Sequence, residues 1–450
     1  MAESSLLKHR LKHLATSDGF KFRLIRGGFG SAGIQVANRI LALALGIVLA
    51  RTLGPDGYGV YAYAFAIMSL LMVAAEAGVP TLLMREVAAS QGRGEWGLLR
   101  GALRRGAQFV TLVATTVSML GLLILAWFID SLRPEVLYTT ALMLLVLPVA
   151  ALCKTVAHAM RGLHRVVVGQ AVDMLIRPLL VLTIIAAVFM VWPEQREPYV
   201  AMAAQLLGAL VVLLIGTLVL RRVLPEDSRA AAPEYKSRQW LKSALPFTLI
   251  GGAGIINNQA DIIMLGWFME SDDVGIYRVA VQGATLVGFC LQAVSAVVAP
   301  QFSRLHAQGD TKRLQRLVTN STRAVLAAAL PIALVFMVGG GAIAGHVFGG
   351  EYAAAYPSLA ILAAGQLTLA VLGLTGPLVS MTGFEKIVST AMWLSAFANI
   401  VLNLVLIPSF GLNGAAMATV FTVFGWHVFL FMLSKKRLGV TVLPFCIRKT

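Results

Sequence analysis

Twelve apolar stretches, separated by short polar ones, run the length of the chain. They lie at about 27–50, 58–84, 106–129, 136–160, 166–192, 198–220, 243–268, 274–300, 323–348, 354–381, 387–409 and 412–433. Most exceed the roughly 20 residues a helix needs to cross a hydrocarbon core. The pattern predicts an all-α polytopic membrane protein of twelve transmembrane helices, several of them tilted or protruding. The second, seventh and eighth stretches are the weakest, because each carries polar residues. The first two are joined by Arg51-Thr52-Leu53-Gly54-Pro55-Asp56-Gly57-Tyr58-Gly59, whose Gly and Pro predict a tight turn.

Charge orients these spans. With residue 1 placed inside, thirty of the 37 Lys and Arg fall in inner segments. Three (Arg51, Arg133, Arg196) fall outside, and four (Arg39, Lys154, Arg177, Arg278) lie within spans. Cytoplasmic loops carry the positive excess, so both termini are expected in the cytoplasm. Residues 222–239 hold Pro225, Pro233 and charges of both signs, and read as a cytoplasmic linker. It separates an N-lobe, 27–221, from a C-lobe, 240–434, of six spans each. A basic segment, 1–26, precedes the lobes, and a basic tail, 435–450, follows them. The lobes echo one another at similar offsets. Gly59-Val60-Tyr61 matches Gly275-Ile276-Tyr277, and Pro80 and Arg85 match Pro300 and Arg304. The turn Gly162-Leu163-His164-Arg165 matches Gly383-Phe384-Glu385-Lys386. These echoes predict parallel repeats with a site between the lobes and alternating access.

Composition agrees: 58% of residues are hydrophobic, 13% charged, and mean hydropathy is +0.80. The net charge of +16 is accounted for by the inner loops, and no base-reading motif accompanies it, so nucleic acid is not an expected partner. Cys153, Cys290 and Cys446 show neither metal nor disulfide spacing. Residues 1–26 lack the apolar core of a cleavable signal. Leu6, Leu7, Leu11 and Leu14 share a helical face among Lys8, Arg10 and Lys12, which suits either a surface-lying amphipathic helix or a solvated tail.

Short motifs resemble the polysaccharide flippase branch of the multidrug/oligosaccharidyl-lipid/polysaccharide (MOP) superfamily. They are Ala50-Arg51-Thr52-Leu53-Gly54-Pro55 with Tyr58-Gly59-Val60-Tyr61, Arg161-Gly162-Leu163, and Phe348-Gly349-Gly350-Glu351-Tyr352 with Ala355 and Leu359. A fourth set is Asn399, Asn403-Leu404 and Leu406-Ile407-Pro408, running into Gly411-Leu412-Asn413-Gly414-Ala415-Ala416. The resemblance implies export of oligosaccharides linked to undecaprenyl diphosphate, such as O-antigen, capsule or exopolysaccharide units, across a bacterial inner membrane. Loop and packing signatures of this kind specify the fold better than the cargo.

Ionisable residues at membrane depth are costly and mark function. Arg39, with Gln35 a turn earlier and Asn38 adjacent, lies mid-span with no acid within a turn. Arg177 lies mid-span with Asp173 four residues before it, a spacing that permits a pair on one helix. Lys154 and His158 share a face in the inner half of span 4, and Arg278 lies near the outer end of span 8. The acids are Glu76, Asp173 and Asp261. Pairing alone accounts for many such residues, and least well for Arg39. The alternative is a cationic cavity in which Arg39, Arg177, Lys154 and Arg278 receive a diphosphate, since guanidinium groups bind phosphate bidentately and stay charged. Gln35, Asn257, Asn258, Gln259, Gln366, Asn399 and Asn403 are candidates to meet the sugars, and Trp426 to stack on one. No cofactor is expected. The driving force is the membrane potential, or proton or sodium coupling through Glu76 or Asp261.

Gly28-Phe29-Gly30-Ser31-Ala32-Gly33 fits G-x-G-x-x-G but follows no strand, so helix packing is its better reading. Gly341 and Gly345 likewise read as packing. No Walker A or metal-ligand motif occurs, and Asn320-Ser321-Thr322 falls on the cytoplasmic side. A drug or cation exporter of the same superfamily would favour acids over arginines at the centre. A polymerase or ligase would need an outer loop longer than the roughly seven residues found here, so no enzyme is expected. Expected partners are the lipid-linked oligosaccharide, membrane lipids and a polysaccharide polymerase, with the chain itself a monomer.

Overall fold

A computed structural model describes residues 2–444, with side chains from Gly30 onward except Ala32 and Ile250. The proposed amphipathic face of residues 6–14 and Cys446 lie outside that description. Fourteen α-helices follow in order: α1 (Ala2–Glu76), α2 (Val79–Arg93), α3 (Trp96–Trp127), α4 (Pro134–Gly162), α5 (Val166–Ala171), α6 (Arg177–Val191), α7 (Pro198–Val223), α8 (Glu226–Ala230), α9 (Ser237–Phe268), α10 (Ser271–Ala307), α11 (Thr311–Phe348), α12 (Tyr356–Leu372), α13 (Thr375–Val379) and α14 (Glu385–Leu438). Among the described residues there is no strand. Among the described residues, eight stretches are long and apolar enough to cross a membrane.

Two predicted turns are single-residue kinks inside long helices. Gly54 in α1 (φ 69, ψ 178) and Gly411 in α14 (φ 57, ψ −133) take backbone conformations that a side chain disfavours. The second apolar stretch, expected as one span over 58–84, is instead broken. Ala77 (φ 44) and Gly78 (φ 71) turn the chain left-handed between α1 and α2. A Cβ on Gly78 would stand 2.3 Å from the Ala244 carbonyl of α9, so close helix approach selects glycine there.

The echoed glycines meet each other. A Cβ on Gly59 would stand 1.7 Å from the Ser271 carbonyl oxygen, and one on Gly275 2.1 Å from that of Pro55. Each glycine thus touches the residue four positions before the other, a reciprocal crossing of α1 and α10. Arg133 extends this junction: it donates two hydrogen bonds to Asp56, at 3.1 and 2.9 Å, and one to Ser271 Oγ at 3.0 Å.

Two of the family-like motifs also meet. Arg51 donates from Nε to the Val347 carbonyl at 2.8 Å and from Nη2 to that of His346, capping the negative end of α11. Tyr352 returns a bond to the Ala50 carbonyl at 3.1 Å. The linker is docked rather than free: Arg100 of α3 donates to the Arg229 and Ala231 carbonyls, both at 2.7 Å. After α14 the chain continues as a strap. Val440 and Val442 are fully buried against Phe302, Leu314 and Leu378, and Gln315 bonds both the N–H and the carbonyl of Thr441.

Candidate functional site

A cavity of about 690 Å³ lies between α1, α4, α6, α7, α9 and α10. All four intramembrane bases, Arg39, Lys154, Arg177 and Arg278, line it, with the acids Glu76 and Asp173. Lys154 Nζ donates to Glu76 Oε2 at 2.9 Å and lies 2.8 Å from Oε1, where only charge contact remains. That pair neutralises one of the four bases expected to receive the diphosphate. Asp173 does not pair with Arg177, as their spacing permits. A π-helical turn over Val172–Ile176 separates them in phase, and Asp173 lies 4.0 Å from Arg161 instead. The three arginines of the cavity have no carboxylate within 4.0 Å among the described residues. Arg39, mid-span with no acid within a turn, lines the cavity and donates to Gln292 Oε1 at 2.9 Å. Arg278, placed near the outer end of span 8 in the sequence, lines the cavity together with Tyr58.

The neutral candidates divide. Asn258 lines the cavity, and Gln259 beside it does too. Gln35, half-buried, is not among the lining residues. Asn257 turns away and donates to the Ala253 and Met392 carbonyls, at 2.9 and 3.1 Å, tying α9 to α14. Gln366 packs against Gly288, and Trp426 against His427, so neither reaches the cavity.

Asn399 and Asn403 are buried in a separate cluster around Asp261. Asp261 Oδ1 accepts from Asn403 Nδ2 at 2.8 Å, and Oδ2 accepts from Tyr277 at 3.0 Å and from Thr419. Asn403 also donates to Asn399 Oδ1 at 3.1 Å. The two asparagines thus serve a carboxylate rather than a sugar, because α14 turns this face towards α9 and α10. A buried carboxylate with three donors and no cation within 4.0 Å, among the described residues, has room in its chemistry for a proton or a monovalent cation.

A family model described as "Polysaccharide biosynthesis protein" matches residues 24–306. The chain belongs to this family. It is 26% identical over 188 residues to the probable low-salt glycan biosynthesis flippase Agl15 of Haloferax volcanii, covering 42% of this chain and 40% of that one. It is 27% identical over 252 residues to an uncharacterized membrane protein of Methanocaldococcus jannaschii, covering 55% and 49%. The chain therefore matches under half the length of these curated relatives. Its fold is similar to an inward-facing multidrug resistance MATE transporter of the MOP superfamily (TM-score 0.76, 14% identity, 89% and 94% covered). It is similar also to the lipid II flippase MurJ in an inward closed conformation (TM-score 0.71, 15% identity, 89% and 87% covered). The chain is therefore a multi-pass membrane protein of the polysaccharide-biosynthesis family, with a fold similar to that of these transporters.

In this polysaccharide-biosynthesis family member, several cavity residues had been passed over in the sequence. Tyr58 and Tyr61 belonged to a turn motif, yet both line the cavity. Gln205 donates to the Tyr61 hydroxyl at 2.8 Å; its signal was a lone amide in the apolar sixth stretch. Gln282 donates to the Ala42 carbonyl at 3.0 Å, where Gly46 leaves room for it.

Proposed function

We propose that the chain moves an oligosaccharide linked to a polyprenyl diphosphate, such as undecaprenyl diphosphate, from the cytoplasmic to the outer leaflet for surface polysaccharide synthesis. One observation carries this reading: three arginines face a single cavity without a carboxylate partner. A bare guanidinium at membrane depth is expensive, and a diphosphate supplies the missing countercharge in the geometry guanidinium prefers. A cationic drug would be repelled by the same groups.

The architecture proposed for this work is twelve spans in two six-span lobes with both termini cytoplasmic. Splitting α1 at Gly54 and α14 at Gly411 supports the count, and the reciprocal Gly59–Gly275 contact supports the repeat. The lobes then rock about the cavity. An inside-negative potential favours outward movement of an anion by about 2.3 kcal/mol per charge per 100 mV. Asp261 is the better placed of the two candidate coupling acids, because Glu76 is engaged by Lys154. In a bacterium the location is the inner membrane, with a monomeric chain delivering cargo to a polymerase.

Arg39→Ala and Arg177→Ala, each with expression verified, are expected to abolish surface polysaccharide in the source cell. Normal export in both variants overturns the cavity reading.

A further inference from the structure

The cavity wall is divided between the two halves of the chain. Before the linker it contributes Arg39, Glu76, Lys154, Asp173 and Arg177. After the linker, among the described residues, only Arg278 is charged, and the other hydrogen-bonding groups are Asn258, Gln259, Gln282, Thr285 and Gln292. Most of these are already engaged. Gln282 donates to the Ala42 and Leu43 carbonyls and accepts from Tyr58. Thr285 donates to the Gln282 carbonyl, and Gln292 accepts from Arg39.

Asn258 and Gln259 differ. Asn258 is exposed, and its only hydrogen bond among the described residues runs from Nδ2 to its own helix, at the Gly254 carbonyl, 2.6 Å. Gln259 Oε1 is buried with no partner among the described residues. These two consecutive side chains of α9 therefore bring unused amide capacity to the cavity edge. An amide oxygen accepts only, so it gains nothing from an ionised phosphate, which also only accepts. It is satisfied by a group that donates. A sugar hydroxyl or acetamido N–H does so, and a hydroxyl also accepts from the amide nitrogen.

We infer that Asn258 and Gln259 form the glycan-reading edge of the cavity, while the arginines hold the diphosphate. The inference rests on the cargo proposed above and adds which wall selects the sugar. Rotation of the Gln259 amide brings Oε1 to the sugar and gives it the partner it lacks.

The test uses the full chain in nanodiscs with two probes, undecaprenyl diphosphate alone and undecaprenyl diphosphate bearing one N-acetylglucosamine. Binding is followed by native mass spectrometry. Gln259→Leu and Asn258→Ala are expected to weaken the sugar-bearing probe about fivefold, the equivalent of one lost hydrogen bond, and to leave the bare diphosphate within twofold. Arg177→Ala is expected to weaken both probes by tenfold or more. The inference is overturned if both amide variants weaken the two probes equally, or weaken neither. Loss of the sugar increment in either variant supports it, so a folding defect in one does not decide the matter. If the unaltered protein binds neither probe, the cargo reading falls as well. If Arg177→Ala is without effect while the amide variants remove the sugar increment, the diphosphate assignment falls and the glycan edge stands.

Discussion

Asp261 shows how one buried carboxylate organises three helices. Its partners come from α10 (Tyr277) and α14 (Asn403 and Thr419), and it stands on α9. Replacing it with alanine strands the Tyr277 hydroxyl and the Asn403 amide, and is expected to cost about 2–3 kcal/mol, read as thermal unfolding in detergent. Asp261→Asn is nearly isosteric and is expected to keep the fold. If Asp261 couples transport to an ion, that variant flips cargo at a rate no longer altered by imposed proton or sodium gradients across proteoliposomes. A rate that still follows the gradient excludes Asp261 as the coupling group. The contrast with Lys154 is instructive. Lys154 is already matched by Glu76, so its charge is spent locally, whereas the cavity arginines keep theirs available for a ligand.

At the level of helices, the junction of α1 with α10 is set by the absence of side chains. No rotamer relieves a Cβ within 1.7 Å of a carbonyl oxygen. Gly59→Ala or Gly275→Ala must therefore part the two helices. The expected outcome is a junction that no longer closes, seen as faster labelling of a cysteine introduced at Ser271 by a membrane-impermeant maleimide. Unchanged labelling would show that the backbone yields elsewhere. The strap after α14 is a different kind of join. Val442→Ala removes about two methyl groups' worth of fully buried surface and is expected to cost about 1.5 kcal/mol in thermal unfolding.

Across the whole molecule, charge runs in two systems. The segments between the apolar stretches carry most of the Lys and Arg, and the cavity holds a smaller set of its own. In the proposed reading the first sets orientation and the second meets cargo. If the twelve-span arrangement holds, a cysteine introduced at the exposed Asp227 in the linker reacts with an impermeant maleimide only after the membrane is opened, while one at the exposed Asp130, between α3 and α4, reacts in intact cells. The opposite pattern inverts the topology.

Run length, loop charge and mid-span arginines are properties of short stretches, and a linear reading reached them. It found the all-helical membrane class, the bases that line the cavity, and the echoed Gly59 and Gly275. It missed what depends on how a helix is rotated about its own axis. A polar residue in an apolar run points into a cavity, into a neighbour or along its own helix, and only the helices packed around it choose among these. Asn399 and Asn403 were therefore assigned to sugar and proved to serve Asp261, while Tyr58 and Gln205 entered the cavity unannounced. The pairing of Asp173 followed the same rule: one π-helical turn changed its phase, and with it the arginine it faces. Local chemistry placed the charges at membrane depth, and long-range packing determined which of them were left without partners.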